Sequence, residues 1–255
     1  MNSIRKHQTN HRFLRRADPI TIVKKLTGKA ILERKLINEG DNILIAVSGG
    51  KDSSVLAWVL SEMRHMLKFD YKLEAVHISS DFCACCKKSI LAERLDEWNI
   101  PFTDLDIPII GRLKPGRKMN CYWCSSQRRT ELLRYAMEKG CNKIALGHHL
   151  DDIIETFFMN MMQKGKLLSM PIYLAYRKYP VSLIRPLAFL EEQQIIACAK
   201  ELDILAAACT CPYGVNSNRR DIRQKIANLT NNNGAIKRRI LASLSSGKED
   251  LLIEE

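Results

Sequence analysis

A run of six residues, Ser-Gly-Gly-Lys-Asp-Ser at positions 48–53, constrains the fold of this chain more than any other feature. The apolar, β-rich stretch Asn42–Val47 precedes it and predicts a buried parallel strand, and helical periodicity follows from Asp52 onward. Two adjacent glycines let a strand-to-helix turn stay tight and let its backbone approach a ligand closely. The start of the helix supplies unpaired N–H groups and the positive end of the helix dipole. We therefore expect this turn to bind an anion, in particular a phosphate.

The turn differs from two common nucleotide-binding motifs. A Walker A loop needs a glycine where Ile45 stands and a serine or threonine where Asp52 stands, and the dinucleotide pattern G-x-G-x-x-G does not occur. An ordinary P-loop NTPase and a Rossmann dehydrogenase are therefore excluded. A turn that only begins a helix would explain two glycines, but not the complete run after an apolar strand. We expect the whole run to form the binding site, namely Ser48, Gly49, Gly50, Lys51, Asp52 and Ser53. Ser48 and Ser53 can add hydroxyl donors, and Lys51 adds a positive charge.

Predicted strands alternate with predicted helices of about ten or more residues along the middle of the chain. The strands are expected near residues 42–47, 72–78, 101–106, 143–146 and 183–184. Such alternation is typical of α/β folds, and we predict a doubly wound parallel sheet with helices on both faces. We divide the chain into a basic N-terminal helical element at 1–40, an α/β domain at 41–205, and a cysteine-containing segment with basic helices at 206–255.

A second polar run, Gly-His-His-Leu-Asp-Asp at 147–152, follows the predicted strand at 143–146. Asp151 and Glu155 share one face of the helix predicted there, and Asp152 lies beside them. Three such carboxylates could hold Mg²⁺, although acids are also favoured in any first helical turn. Open α/β sheets bind ligands at the carboxyl ends of strands, so we expect both polar runs to line one site. The two histidines of the run are open between ligand contact and a packed structural position.

The charge balance favours a polyanionic partner. Forty Lys and Arg residues against 28 Asp and Glu residues give a net charge of +12. Nucleic acid is the commonest partner of such a surplus, and a generally basic surface is the alternative. No apolar run approaches the ~18–20 residues of a membrane span, and Met1–Ile20 contains no apolar signal stretch. We therefore expect a cytoplasmic protein without membrane contact.

Nine cysteines, an odd number, favour metal or redox chemistry over a set of disulfides in a chain without a secretion signal. Cys121 and Cys124 have the C-x-x-C spacing that places two thiolates on one metal or cluster, and Cys209 and Cys211 follow much later. Three cysteines with one open position suit an iron–sulfur cluster, while a zinc site and a persulfide-carrying dithiol are alternatives. The run Cys83–Cys86 is open between a metal site and a reduced loop near the active site. Two further cysteines are expected to be buried small hydrophobic residues, Cys141 and Cys198.

The run at 48–53 resembles the PP-loop of N-type ATP pyrophosphatases, which cleave ATP between the α- and β-phosphates and adenylate a substrate. A wider set of motifs, in order along roughly residues 40–230, resembles the tRNA 2-thiocytidine synthetase family. The motifs that carry this resemblance are SGGKDS at 48–53, CYWC at 121–124, Arg128-Arg129, LGHHLDD at 146–152, the run from Asn160 to Pro171, Arg185-Pro186-Leu187, and the late Cys209 and Cys211.

The resemblance implies ATP-dependent thiolation of cytidine 32 in the tRNA anticodon loop, with Mg²⁺ and a [4Fe–4S] cluster as cofactors. The catalytic residues it implies are Lys51, Asp52, Asp151 and Asp152, and the ATP contacts extend to Gly147 and His148. The implied cluster ligands are Cys121, Cys124 and Cys211, with Cys209 as the alternative third ligand. The tRNA contacts are expected from Arg15, Arg16, Arg128, Arg129, Arg219, Arg220 and Arg223. A cysteine desulfurase or another sulfur donor is the expected partner, together with a possible homodimer.

Two other classes of function stay open on the sequence. A PP-loop ligase that acts on another tRNA base or on a small molecule, with zinc-bound cysteines, would share the phosphate-binding run. A non-catalytic RNA-binding protein would share only the fold and the charge. The sequence does not fix the modified base, the sulfur donor, the oligomeric state, the third cysteine ligand or the role of Cys83, Cys85 and Cys86.

Overall fold

The computed structural model describes residues 18–82, 88–204 and 217–246, which form eight helices and six strands. The helices are α1 Pro19–Glu33, α2 Lys51–Met63, α3 Lys88–Glu97, α4 Cys121–Glu138, α5 Leu150–Lys164, α6 Glu192–Glu201, α7 Ser217–Thr230 and α8 Gly234–Ser246. The strands are β1 Asn42–Ala46, β2 Lys72–Ser80, β3 Phe102–Ile107, β4 Lys143–Ala145, β5 Tyr173–Ala175 and β6 Ser182–Ile184. No helix within these described ranges is long and apolar enough to cross a lipid bilayer.

The six strands form one sheet in the order β3-β2-β1-β4-β6-β5. The first five strands of that order run parallel to one another, and β5 runs antiparallel to β6. The predicted parallel sheet is therefore confirmed, with one antiparallel edge strand that the sequence did not predict. The three residues Tyr173–Ala175 are all exposed, so this strand lacks the alternation of buried and exposed side chains by which strands are recognised.

The position of β1 in the centre of the sheet decides where a ligand can bind. β1 pairs with β2 on one side and with β4 on the other. In open α/β sheets, such a reversal of strand order opens a crevice outside the carboxyl ends of the two central strands. Both polar runs, 48–53 and 147–152, follow those strand ends.

Helices cover both faces of the sheet, as predicted. Ile43 and Ile45 of β1 pack into a core formed with buried residues of α1, α2, α3 and α6. Leu44, which points to the opposite face, packs with Ile144 of β4 and with buried residues of α4. Burial on both faces explains why β1 is a continuous apolar run rather than an alternating one.

The predicted N-terminal helical element is α1 within its described part. Asp18 caps this helix by accepting a hydrogen bond from the Thr21 backbone N–H at 3.0 Å, and Pro19 occupies the first turn.

The two C-terminal helices pack on α5. Ile153 and Ile154 of α5 lie in one apolar cluster with Ile222 and Ile226 of α7 and Leu241 of α8. Because α5 begins within the second polar run, this packing brings α7 and α8 to the carboxyl edge of β4.

A buried ion pair fixes the amino ends of β1 and β4. Lys143 Nζ lies 2.8 Å from Asp41 Oδ2 and donates a hydrogen bond to the Leu36 carbonyl at 2.6 Å. Asp41 also accepts from the Asn38 backbone N–H at 2.6 Å and from the Asn142 amide at 2.8 Å. Each side chain of the pair is 6% exposed, so each charge depends on the other for stabilisation.

We predict that Lys143→Met lowers the free energy of unfolding by about 3–5 kcal/mol, because it leaves the Asp41 carboxylate buried without its cation. Urea unfolding followed by circular dichroism measures this change. Lys29→Met is the matched control, since Lys29 is exposed and forms a 3.6 Å surface pair with Glu33. Its effect should stay within about 0.5 kcal/mol. Equal effects of the two substitutions would show that the buried pair contributes no more than the surface pair.

Candidate active site

The loops after β1 and β4 meet at the carboxyl edge of the sheet. A methyl group added to Gly147 would stand 3.0 Å from the Ser53 backbone nitrogen and 3.1 Å from the Asp52 carbonyl carbon. Both distances are shorter than ordinary van der Waals contact. Glycine therefore lets the second polar run lie directly against the first turn of α2. The structure thus brings together two runs that lie far apart in the sequence.

The first polar run folds as a tight turn that a serine hydroxyl closes. Gly49 has a φ of +78°, which side-chain-bearing residues rarely adopt. The Ser53 hydroxyl accepts from the Ser48 backbone N–H and donates to the Gly50 carbonyl, both at 3.0 Å. Gly50 is the N-cap of α2, and no described side chain caps this helix start. The first N–H groups of α2 are therefore available to an anion.

Lys51 is held at this turn by two carboxylates. Its Nζ lies 3.0 Å from Glu192 Oε1 at the start of α6 and 3.2 Å from Asp52 Oδ2. Burial opposes the charge on Lys51, but the bonds to Glu192 and the charge of Asp52 outweigh it, so the pKa of Lys51 is raised. The lysine is therefore a fixed positive charge beside the start of α2.

Two acids of α5, Asp151 and Glu155, connect this helix to its neighbouring helices. Asp151 Oδ1 lies 2.6 Å from Lys237 Nζ of α8, and Asp151 Oδ2 accepts from the Glu192 backbone N–H at 2.7 Å. Burial opposes the charge on Asp151, but these two donors outweigh it and lower its pKa. Glu155 is almost fully buried and lies 2.6 Å from Arg223 Nε of α7. These contacts connect α5 to α6, α7 and α8, while Glu155 Oε2 is buried without a hydrogen-bond partner among the described residues.

Asp52 and Asp152 both lie near the Nε2 atom of the buried His149 ring. His149 Nε2 is 3.4 Å from Asp152 Oδ2 and 4.0 Å from Asp52 Oδ1. The Asp52 Oδ1 atom is buried without a hydrogen-bond partner among the described residues. No group of three or more metal-binding side chains occurs in the part of the chain that the structure describes. Mg²⁺ bound to a nucleotide needs only one or two carboxylates, with phosphates and waters completing its shell, so Asp52 and Asp152 fit it.

His148 has a different environment from His149. Its Nδ1 accepts a hydrogen bond from Arg185 Nε at 3.3 Å, and Arg185 Nη1 donates to the Pro171 carbonyl. Burial and then the positive charge of Arg185 lower the pKa of His148 to about 4. His148 is therefore neutral at pH 7, at the edge where both polar runs meet.

The C-x-x-C pair lies in the first turn of α4. Asn120 caps this helix by accepting from the Trp123 backbone N–H at 2.9 Å, and the Trp123 indole donates to the Ile109 carbonyl at 3.1 Å. Asp81, which follows β2, accepts from the next backbone N–H groups of the same loop, at residues 110 and 111. These contacts tie Cys121 and Cys124 to the carboxyl edge of the sheet.

The remaining cysteine predictions divide into two groups. Cys141 and Cys198 are buried, as expected, and burial raises the pKa of each thiol to about 11. The other predicted cysteines lie outside the described residues, namely Cys83, Cys85, Cys86, Cys209 and Cys211. The third cluster ligand therefore stays a prediction.

The predicted tRNA-binding arginines have different surroundings. Arg15 and Arg16 lie outside the described residues, whereas Arg129 and Arg220 are exposed on α4 and α7, and Arg128 is half-buried on α4. The charge of Arg219 lowers the pKa of His148, and the charge of Arg129 lowers the pKa of Arg185. Both arginines therefore act electrostatically on side chains of the site. Arg223 pairs with Glu155 and lies 3.7 Å from Glu192, and 55% of its side chain stays exposed, so its tRNA contact stays a prediction.

Sequence reasoning gave no role to three residues of this site, namely Arg185, Glu192 and Lys237, and left His149 open between ligand contact and a packed structural position. Arg185 belongs to the Arg-Pro-Leu motif at 185–187, which supports the family resemblance. The motif did not indicate what the Arg185 side chain does. Glu192 and Lys237 are ordinary charged residues of helices in the sequence, and only the packing of α6 and α8 brings them to the two polar runs.

Comparisons with known proteins agree with this geometry. A family model described as a PP-loop domain matches residues 21–230. The chain is 38% identical over 207 residues to the tRNA-cytidine(32) 2-sulfurtransferase of Syntrophotalea carbinolica, covering 80% of this chain and 79% of that protein. It is 33% identical over 238 residues to the protein of the same name from Geobacter sulfurreducens, covering 91% and 92%.

Two solved structures are similar in fold. The U34-tRNA thiolase NcsA from Methanococcus maripaludis, solved with its [4Fe–4S] cluster, has a TM-score of 0.74 at 25% identity and covers 89% of this chain and 78% of that chain. The NMN synthetase of Francisella tularensis has a TM-score of 0.53 at 15% identity, covers 82% and 86%, and shows the fold alone. The match to the PP-loop model and the identity to named relatives over most of the chain lead to one conclusion: the chain belongs to the tRNA-cytidine(32) 2-sulfurtransferase family of PP-loop proteins.

Proposed function

We propose that this protein is an ATP-dependent tRNA thiolase, which adenylates cytidine 32 and replaces its 2-oxygen with sulfur to give 2-thiocytidine. The observation that carries the proposal is the contact between the runs at 48–53 and 147–152 across β1 and β4. That contact sets an anion-binding helix start beside two carboxylates, which suits a nucleoside triphosphate with Mg²⁺. The name of the relatives, tRNA-cytidine(32) 2-sulfurtransferase, supports cytidine 32 as the target.

In the activation step, the cytosine 2-oxygen attacks the α-phosphorus of ATP, and pyrophosphate leaves with the electron pair of the broken P–O bond. Lys51 and the first N–H groups of α2 donate to the oxygens on which negative charge grows. Asp52 and Asp152 would hold Mg²⁺, which offsets part of that charge when bound. Asp151 contributes by fixing the starts of α5 and α6.

In the transfer step, sulfide (HS⁻) from the sulfur donor attacks C2 of the adenylated cytosine and loses its proton, and AMP leaves with the former 2-oxygen and the electron pair of the broken C–O bond. Cys121 and Cys124 would hold an iron–sulfur cluster together with Cys211, or with Cys209 as the alternative. When bound, such a cluster would supply an iron site that can hold sulfur. The cluster in the similar NcsA structure and the helix-start position of both thiols support this assignment.

The tRNA is proposed to lie along the arginine-rich faces of α4 and α7, next to the site. Exposed Arg129, Arg219 and Arg220 offer contacts to backbone phosphates. We propose that Arg15 and Arg16 of the N-terminal segment bind phosphates of the same tRNA. Such contacts contribute salt-dependent affinity that is blind to sequence, so they position the tRNA rather than select the base.

Further proposals concern the setting of the reaction. We propose a cytoplasmic location, where tRNA is available, a cysteine desulfurase or a related protein as sulfur donor, and a homodimer. We also propose that the α/β domain spans residues 41–205. It lies between the basic N-terminal element at 1–40 and the segment with basic helices at 206–255.

We predict that cells without this protein lose 2-thiocytidine from their tRNA and that Asp52→Asn fails to restore it, because the substitution removes a carboxylate charge needed for the nucleotide and its metal ion. Mass spectrometry of digested tRNA nucleosides measures the loss. Asp96→Asn, an exposed position on α3, should restore the nucleoside fully. Persistence of 2-thiocytidine in the deletion strain would reject the proposal, and loss of another thiolated nucleoside instead would favour a different target base.

We predict that Gly147→Ala weakens ATP binding by at least about tenfold, since its methyl group must displace the backbone of the first turn of α2. Isothermal titration with ATP and Mg²⁺ measures this. Gly28→Ala is the matched control, because a methyl group there would be 3.7 Å from Met63 Sδ, an ordinary contact. Circular dichroism confirms that both variants are folded. Unchanged ATP affinity in Gly147→Ala would show that the nucleotide does not bind at this contact.

We predict that Cys124→Ser loses most of its iron and visible absorbance after anaerobic reconstitution, along with thiolation, while ATP binding stays within about twofold. The reason is that serine oxygen is a poor ligand for an iron–sulfur cluster. Cys198→Ala, buried in α6, should keep both iron and activity. A colourless wild-type protein that is loaded with zinc and fully active would reject the cluster and favour the zinc alternative.

A further inference from the structure

Arg185 is a buried guanidinium whose direct partners are neutral. Its side chain follows β6, and the residue is 6% exposed. Among the described residues it donates to His148 Nδ1 at 3.3 Å and to the Pro171 carbonyl. Burial lowers the pKa of Arg185 to about 10, which still leaves it protonated at pH 7. A buried cation bonded to neutral groups is costly, so its position calls for a function.

The hydrogen bond from Arg185 decides which nitrogen of His148 carries a proton. An arginine Nε–H can only donate, so His148 Nδ1 accepts and is itself unprotonated. The ring is neutral at pH 7, so its single N–H lies on Nε2. The other charged or titratable groups that act on this ring are Asp152, Arg219 and His149.

The neutral ring lies at the edge where the nucleotide is proposed to bind. His148 directly follows Gly147, whose backbone contacts the first turn of α2. β6, which leads to Arg185, runs parallel to β4, so both residues lie at the same carboxyl edge. A neutral N–H donor there can make a directed hydrogen bond to a phosphate oxygen.

We propose that Arg185 is a positioning residue that holds His148 as a neutral donor, so that His148 Nε2–H binds a phosphate oxygen of ATP. The inference rests on the proposed function for the identity of the nucleotide and adds the tautomer that the site uses. With its proton on Nδ1 instead, the ring would present a lone pair to the phosphate oxygen, and the two would repel. Arg185 therefore acts on the nucleotide through His148.

The tautomer can be measured without any enzymatic assay. Side-chain ¹⁵N–¹H correlation spectra of the full chain at pH 7.5 should show His148 with its proton on Nε2 alone, assigned by the signal that His148→Gln removes. Arg185→Met should give a mixture of tautomers. Arg64→Met is the matched control and should leave the signal unchanged, because Arg64 also donates to backbone carbonyls, those of Trp98 and Asn99.

A proton on Nδ1 in the wild type, or a His148 signal that Arg185→Met leaves unchanged, would overturn the proposal. If Arg185→Met does not fold, Arg185→Lys replaces it in the experiment. The lysine keeps the charge but lacks the Nε–H in the plane of the imidazole ring, so a partial mixture of tautomers is expected.

The functional part of the proposal is tested by two amide substitutions at His148. A glutamine amide can donate from near the position of Nε2, whereas an asparagine amide donates from near that of Nδ1. Titration with ATP and Mg²⁺ should show about tenfold weaker binding for His148→Asn and less than about threefold for His148→Gln. Equal losses would reject the donor role of Nε2.

A double-mutant cycle separates action through His148 from a direct contact of Arg185 with phosphate. Introduced into the wild-type chain, Arg185→Met should weaken ATP binding about tenfold. Introduced into the His148→Asn variant, it should weaken ATP binding less than about twofold. The same loss in both backgrounds would show that Arg185 binds the phosphate itself and would overturn its positioning role.

The two levels of proposal fail separately. Suppose that the proton lies on Nε2 and the double-mutant cycle shows coupling between Arg185 and His148, but deletion strains keep 2-thiocytidine. The proposed function is then wrong, and the contact of His148 with the nucleotide stands. If 2-thiocytidine is lost on deletion but the proton lies on Nδ1, the inference about Arg185 is wrong and the proposed function stands.

Discussion

The backbone contact between Gly147 and the first turn of α2 is the constraint on which the site depends. It sets the distance between an anion-binding helix start and the acids that begin α5. The pairing of β1 with β4 holds this contact at one end, and the buried pair of Asp41 and Lys143 holds the same strands at the other. A shift of either strand would separate the two halves of the proposed nucleotide site.

The electrostatics of the site come from several elements at once. Lys51 of α2 pairs with Glu192 of α6, and Asp151 of α5 pairs with Lys237 of α8. Arg223 of α7 also pairs with the buried Glu155. The C-terminal helices therefore supply cations to buried acids as well as to the surface. The net positive charge of the chain is therefore only partly a binding surface for nucleic acid, because some of its cations are needed to neutralise buried acids.

The local features of the chain were predictable because short-range physics determines them. The apolar run of β1 and the glycines after it indicated a strand and a turn, and both are present. The edge strand β5 was missed because its residues are exposed and carry no periodic pattern. His149 could not be distinguished from His148 in the sequence, since its burial beside Asp52 and Asp152 depends on how two loops pack.

The sequence by itself determined the family, the α/β alternation and the chemical types of the main side chains, because motifs and periodicity are encoded by neighbouring residues. Only the tertiary structure decided which cation each acid meets: Lys51 for Glu192, Lys237 for Asp151 and Arg223 for Glu155. It also decided that Arg185 donates to His148 and so assigns the proton of that ring. These choices depend on contacts between elements far apart in the chain, and the order of strands in the sheet sets those contacts.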